Sequence, residues 1–501
     1  MKVQEFLDHH GIARNPFAEE DAQTDPVFKE HCIASTYHPT WDKVYGDPAD
    51  PASAIVFGEK GSGKTAMRLQ LSRHLEQYNR DHPSRKVFVI HYDDFNPFLD
   101  RFRDHLGSRK SRADKVLANW KLWDHMDSIL SLGVTGLVDR LLEVRQPSTS
   151  VICDVKPASV DKLDRHQARD LLILAACYDQ STAETFKGRW HRLRQRLKFA
   201  TWKAQWQLAL GWGWFVGWVI LLIALWANGN GNLIWPLWLF SILPFVGFGP
   251  WLWRVWKNFW LARSILHRMR VGIRETNPLR QVLMQFTPAE LSSQPFPNKD
   301  STDSRYELLL KFQALLQTLD YTGIIVLVDR VDEPHLINGS AELMKGLLWP
   351  MLDNKFLKHP GLGMKLMLPL ELTRFIEREE RDFYQRARLD KQNMVPSFEW
   401  TGETLFDVAS ARIRACASAS SKPSLRDLFE PSITQGRLIE AFRTLRVPRR
   451  LFKFLSRLLV SHCNSHTDEN PQWTISSGLF ESTLALSQRD QDAFDRGVGA
   501  G

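Results

Sequence analysis

Cysteine is scarce in this chain: five in 501 residues, Cys32, Cys153, Cys177, Cys416 and Cys463, with no C-x-x-C pair among them. So scattered a set supports neither a zinc cluster nor a disulfide framework, and a chain of this length can bury a sizeable core without either. The first residues, MKVQEFLDHHGIARNPF, lack the uninterrupted apolar run of a secretory signal. This end is therefore expected to remain in the cytosol. No internal repeat or long low-complexity tract is present, and CASASSKPS at 416–424 reads as a loop. A further absence is local: from Lys187 to Arg274 there is no Asp or Glu, while thirteen Lys or Arg fall in the same window. The net charge of +8 thus belongs to one segment, and acidic residues outnumber basic ones elsewhere. Such a distribution does not favour a nucleic-acid partner.

Inside the basic window lie two uncharged runs, LALGWGWFVGWVILLIALWA at 208–227 and LIWPLWLFSILPFVGFGPWLW at 233–253. Each is long enough to cross roughly 30 Å of hydrocarbon as a helix. The polar, flexible NGNGN between them suits a hairpin turn at the far membrane surface. Twelve of the nineteen tryptophans fall between Trp202 and Trp260, many near the ends of the runs, where indole rings prefer the headgroup region. Seven basic residues precede the pair and six follow it, so both flanks are expected on the cytosolic side. A buried hairpin and an interfacial, non-spanning one are the alternatives, since Pro236, Pro244 and Pro250 interrupt the second run.

The stretch AIVFGEKGSGKTAM at 54–67 carries the chemistry. A short β-branched and aromatic strand runs into GEKGSGKT, which fits G-x-x-x-x-G-K-[ST] from Gly58 to Thr65. Gly58, Gly61 and Gly63 allow the backbone to turn its N–H groups onto phosphate oxygens, and the next helix offers its positive N-terminus to the same anion. Lys64 would reach the β- and γ-phosphates, and Thr65 would bind Mg²⁺.

A second motif should hold the metal. GIIVLVDRVDEP at 323–334 has five consecutive aliphatic residues, suited to a strand buried on both faces of a parallel sheet, and then Asp329. Asp329 would bind Mg²⁺, usually through water, and Asp332 or Glu333 would orient or deprotonate the attacking water. Each acid, taken singly, also fits a helix cap. Further strands are expected in KVFVIHYDDF at 86–95 and GMKLMLPLEL at 363–372. Late in the chain VPRRLFKFLSRLL starts an amphipathic helix at Pro448, where Arg449 would reach the γ-phosphate; a solvated basic face is the ordinary alternative.

Together the 58–65 loop, two transmembrane runs inserted before the second motif, Asp329-x-x-Asp332 and the late Pro448-Arg449 resemble the KAP family of P-loop NTPases, of the STAND class. The resemblance covers roughly residues 55–459. It implies a cytosolic NTPase held at a membrane, with bacterial relatives associated with exclusion of phage. The segment after the second strand departs from the family's common Asp-Asp-x-Asp-Arg and is nearer the Asp-x-x-Asp-Glu of other STAND members. The expected architecture is α/β: an N-terminal segment at 1–50, a P-loop core at 51–112 and 300–379, a helical insertion with the transmembrane helices at 113–299, and a helical C-terminal domain at 380–501.

The expected activity is that of an Mg²⁺-dependent ATPase acting as a nucleotide-controlled switch at the inner membrane. ATP is favoured over GTP because no N-K-x-D segment is evident. Membrane lipid is one expected partner, and a protein partner or a second copy is another. The alternatives are a nucleotide-binding scaffold with little turnover and, less favoured by charge, a nucleic-acid motor or loader. A transporter is disfavoured because neither apolar run contains an ionisable group.

Overall fold

The computed structural model describes the chain except for residues 34–35, 108–111, 146–148, 229–242, 244, 293, 353–354, 388–393, 420 and 496–501. Aliphatic runs without polar alternation form its mostly parallel, six-stranded sheet: β1 Ala54–Gly58, β2 Lys86–Tyr92, β3 Val151–Ile152, β4 Tyr321–Val328, β5 Leu362–Pro369 and β6 Met394–Val395. The strand order is β3-β2-β4-β5-β1-β6. β1 pairs in parallel with β5, from Ala54 against Lys365 to Gly58 against Pro369, and with β6 on its other side. Every residue of β1 and β5 is buried, as strands covered on both faces require. The antiparallel β3 on β2 and the short β6 have no counterpart in the sequence reading. The fold is α/β, as the alternation of strands and helices implies.

The chain divides into two compact units. The first joins Met1–Pro83 to Ile325–Gly501. Its helices Gly402–Ala415, Gln435–Leu445, Pro448–Asn464 and Ser477–Asp495 share an apolar core built around Leu405, Leu438, Phe442, Leu451, Leu455 and Phe480. Phe6, Leu7, Phe17 and Phe28 from the N-terminal residues enter the same core. Pro448, at the first turn of its helix, has its fixed φ where no intrahelical N–H is needed.

The second unit, Ser84–Ile324, is mainly helical. It buries charge in pairs. Arg189 donates to Asp139 and to Asp179, at 2.6 Å each, and the guanidinium of Arg305 grips Asp127 at 3.2 Å from two nitrogens. Deleting one partner of such a pair leaves a buried charge uncompensated, at a cost of about 3–5 kcal/mol.

One helix among the described residues, Trp206–Ala227, is long and apolar enough to cross a membrane; its mean hydropathy is 2.2 and almost none of it is buried. Trp214 donates its indole N–H to the carbonyl of Leu243, and Phe248 lies where a Cβ on Gly211 would stand. The expected second span at 233–253 falls largely outside the described residues, as does most of the NGNGN turn. Its last part, from Gly249, belongs to helix Gly249–Arg268, where buried Arg254 donates to the carbonyls of Ala204, Met284 and Phe286.

Candidate functional site

The site begins where β1 ends. Between Gly58 and helix Lys64–Asp81 the chain closes a tight loop in which Gly61 and Gly63 have φ of +88° and +96°, a region costly for any residue with a Cβ. Ser62 N–H donates to the Glu59 carbonyl at 3.1 Å, and the Trp400 indole N–H donates to the Ser62 carbonyl at 2.7 Å. The loop also has a crowded outer side. A Cβ on Gly61 would stand 2.7 Å from the Cβ of Arg449, whose own N–H donates to the Gly61 carbonyl at 3.3 Å.

Lys64 folds back over this loop, its ammonium donating to the carbonyls of Gly58 and Glu59 at 2.7 and 2.9 Å. Burial pulls its pKa below the ordinary lysine value, opposed by the negative charges of Asp329, Asp332 and Glu371. Asp329, the first residue after β4, is 2 % exposed. Burial raises its pKa, while Arg68, the Thr65 hydroxyl and the backbone N–H of Arg330 favour its charged form. Arg330 itself has φ +59°, so the chain turns sharply after the acid.

Lys64, Thr65, Asp329, Asp332, Glu333 and Arg449 line one cavity of ≈ 340 Å³, together with Gly61 and Gly63. Gly58 is not in the lining; it starts the loop and supplies a carbonyl to Lys64. The two candidate water-positioning acids differ in setting. Glu333 is 57 % exposed and lies 3.6 Å from Arg330, and partial burial shifts its carboxyl upward against the pull of that arginine. The Asp332 carbonyl accepts from Gly339 N–H at 2.9 Å, which fixes the turn that carries it.

A carboxylate and a hydroxyl joined by a hydrogen bond are hard oxygen donors of the kind Mg²⁺ takes, and Thr65 with Asp329 is such a pair. Among the described residues no group of three or more His, Cys, Asp or Glu forms a metal cage. That donor set fits an ion completed by phosphate oxygens and water rather than one enclosed by protein.

Several residues in or beside the cavity have no counterpart in the sequence reading. Arg68 meets Asp329, Nε to Oδ2, at 3.2 Å. His38 stacks on Phe398 at 3.8 Å between centroids and hydrogen-bonds the Glu399 carbonyl at 2.7 Å. Arg412 pairs with Asp25 at 2.5 Å and lies over the Phe452 ring. Arg68 shares a helix face with Lys64, Leu71 and Leu75.

Comparisons with protein-family models, with curated proteins and with solved structures give no match. The resemblance to the KAP family therefore rests on the motifs alone.

Proposed function

We propose that the chain is a membrane-anchored P-loop ATPase that works as a nucleotide-controlled switch; a part in anti-phage defence is what the family resemblance adds. The observation that carries this reading is the meeting of Lys64, Thr65 and Asp329 in one cavity under a loop bent at two positive-φ glycines. Loop N–H groups and the Lys64 ammonium bind the triphosphate, and Thr65 with Asp329 holds Mg²⁺. The metal, when bound, neutralises charge on the β- and γ-oxygens. Asp332 or Glu333 orients the attacking water, and Arg449, at the rim of the loop, pairs with the γ-phosphate. Both apolar runs, 208–227 and 233–253, span the membrane with the ATPase and both termini in the cytosol. Anionic lipid meets the basic flanks, and a protein partner or a second copy docks on the C-terminal helices.

Detergent-purified protein is expected to hydrolyse ATP with Mg²⁺, and Lys64→Ala to lose that turnover by on the order of a hundredfold or more, since it removes the cation beside the leaving phosphate. The exposure of Glu333 and its contact with Arg330 favour a second reading, a nucleotide-binding scaffold. Wild-type protein that binds ATP but turns over no faster than Lys64→Ala would establish the scaffold instead.

A further inference from the structure

Asp329 already has a cation. Arg68, one helical turn beyond Lys64, places Nε 3.2 Å from Oδ2, and the two side chains are only 4 % and 3 % exposed. A carboxylate so deeply buried requires a positive partner. The Thr65 hydroxyl and the Arg330 N–H donate without full charge, and the Lys64 ammonium, whose hydrogen bonds go to the carbonyls of Gly58 and Glu59, acts on Asp329 through its field rather than as its ion-pair partner. Arg68 is thus the cation in direct contact with Asp329, with Lys64 adding to it from farther off. A divalent ion approaching the same carboxylate meets a guanidinium at contact distance, in surroundings that screen charge poorly. Pairing with Arg68 and pairing with a metal are alternatives for one acid.

We propose that Arg68 is a resident counter-cation that sets the metal dependence of the site: it holds Asp329 in the metal-free protein, weakens Mg²⁺ binding, and gives way when a nucleoside triphosphate brings the metal in. This rests on the reading of the 58–65 loop as a triphosphate cradle. Arg68 is a positioning residue, acting through Asp329 rather than on substrate. The consequence is a separation of two affinities. Triphosphate binds through Lys64 and the loop N–H groups without any divalent ion, whereas Mg²⁺ enters only against the Arg68–Asp329 pair. Removing Arg68 destabilises the metal-free carboxylate and leaves the metal-bound one free of repulsion, so metal binding must tighten.

The test uses full-length protein in detergent at about pH 8, with a fluorescent ATP analogue as probe in EDTA and then under Mg²⁺ titration, and with Mn²⁺ as a spin-resonance reporter of metal occupancy. Arg68→Gln and Arg68→Met are expected to lower the half-saturating metal concentration by on the order of tenfold, a size typical of groups that act on a metal ligand. Binding of the analogue in EDTA should stay within about threefold, because the phosphate contacts remain. Arg68→Lys, which keeps the charge, should keep the wild-type metal dependence. Asp329→Asn should erase the metal effect in every background. If Arg68→Met does not fold, as a melting curve without nucleotide would reveal, the comparison of Arg68→Gln with Arg68→Lys decides. Nucleotide binding retained in Arg68→Gln with metal affinity unchanged or weakened overturns the role of Arg68 alone. Failure of the wild type to bind the analogue with or without Mg²⁺ overturns the cradle and this inference with it.

Discussion

Lys64, Thr65 and Asp329 were legible because each stands at a fixed offset from a strand end, and strand ends are marked by short aliphatic runs. Arg68 was not, because a single charge in a helix ordinarily faces solvent and nothing local says that it will meet an acid more than two hundred residues away. His38, Trp400 and Arg412 were invisible for the same reason: they reach the cavity through tertiary packing of distant segments. The two acids that the sequence left open differ in setting, since Glu333 is paired with Arg330 and exposed. Asp329→Asn is expected to cut Mg²⁺-dependent turnover by on the order of a hundredfold while leaving nucleotide binding in EDTA within a few fold, because the neutral amide is a poor metal ligand. Glu333→Gln should retain ATP binding and slow single-turnover hydrolysis if Glu333 positions the water. Hydrolysis at the wild-type rate would assign that task to Asp332.

At the scale of elements, the long strands and the amphipathic helix beginning at Pro448 follow from periodicity, whereas β3 and β6 do not. Two residues carry no period, and each forms only because a neighbouring strand presents an unpaired edge. The N-terminal residues likewise read as a separate segment, yet Phe6, Leu7 and Phe28 complete the core of the C-terminal helices. That core fixes helix Pro448–Asn464 with its first turn against the phosphate-loop candidate, where Gly61 admits the Arg449 stem at a distance no Cβ would allow. Arg449 Nε is buried and has no hydrogen-bond partner among the described residues. Such a donor is costly unless something accepts from it, and a γ-phosphate is an acceptor of the right charge. ATP would then tie this helix to the loop and ADP would release it, giving the two nucleotide states different contacts. Limited proteolysis between positions 380 and 501 is expected to be slower with a non-hydrolysable ATP analogue than with ADP, and Arg449→Ala to remove the difference without abolishing binding. Identical cleavage in both states of the wild type, with occupancy confirmed, would leave the helix without a switching role.

For the molecule as a whole, the charge map and the apolar helix constrain the same question. Helix Trp206–Ala227 exposes Trp212, Ile220, Ile223 and Trp226, an apolar surface that water would not tolerate over such a length. The segment preceding it is basic and so is the one following residue 253, and a translocated flank of that charge is disfavoured. Both flanks are therefore expected on the cytosolic side; on that proposal the chain would cross twice, and Asn228, at the C-terminal end of the apolar helix, would lie on the opposite surface. In a variant lacking the five native cysteines, Asn228→Cys should react with a membrane-impermeant maleimide added to intact cells stripped of any outer barrier. Ser477→Cys, at the start of the last helix, should react only after the cells are lysed. Protection of both positions until lysis would place the whole hairpin on the cytosolic face as an interfacial element, and the basic window would then act by lying on anionic lipid rather than by flanking a span.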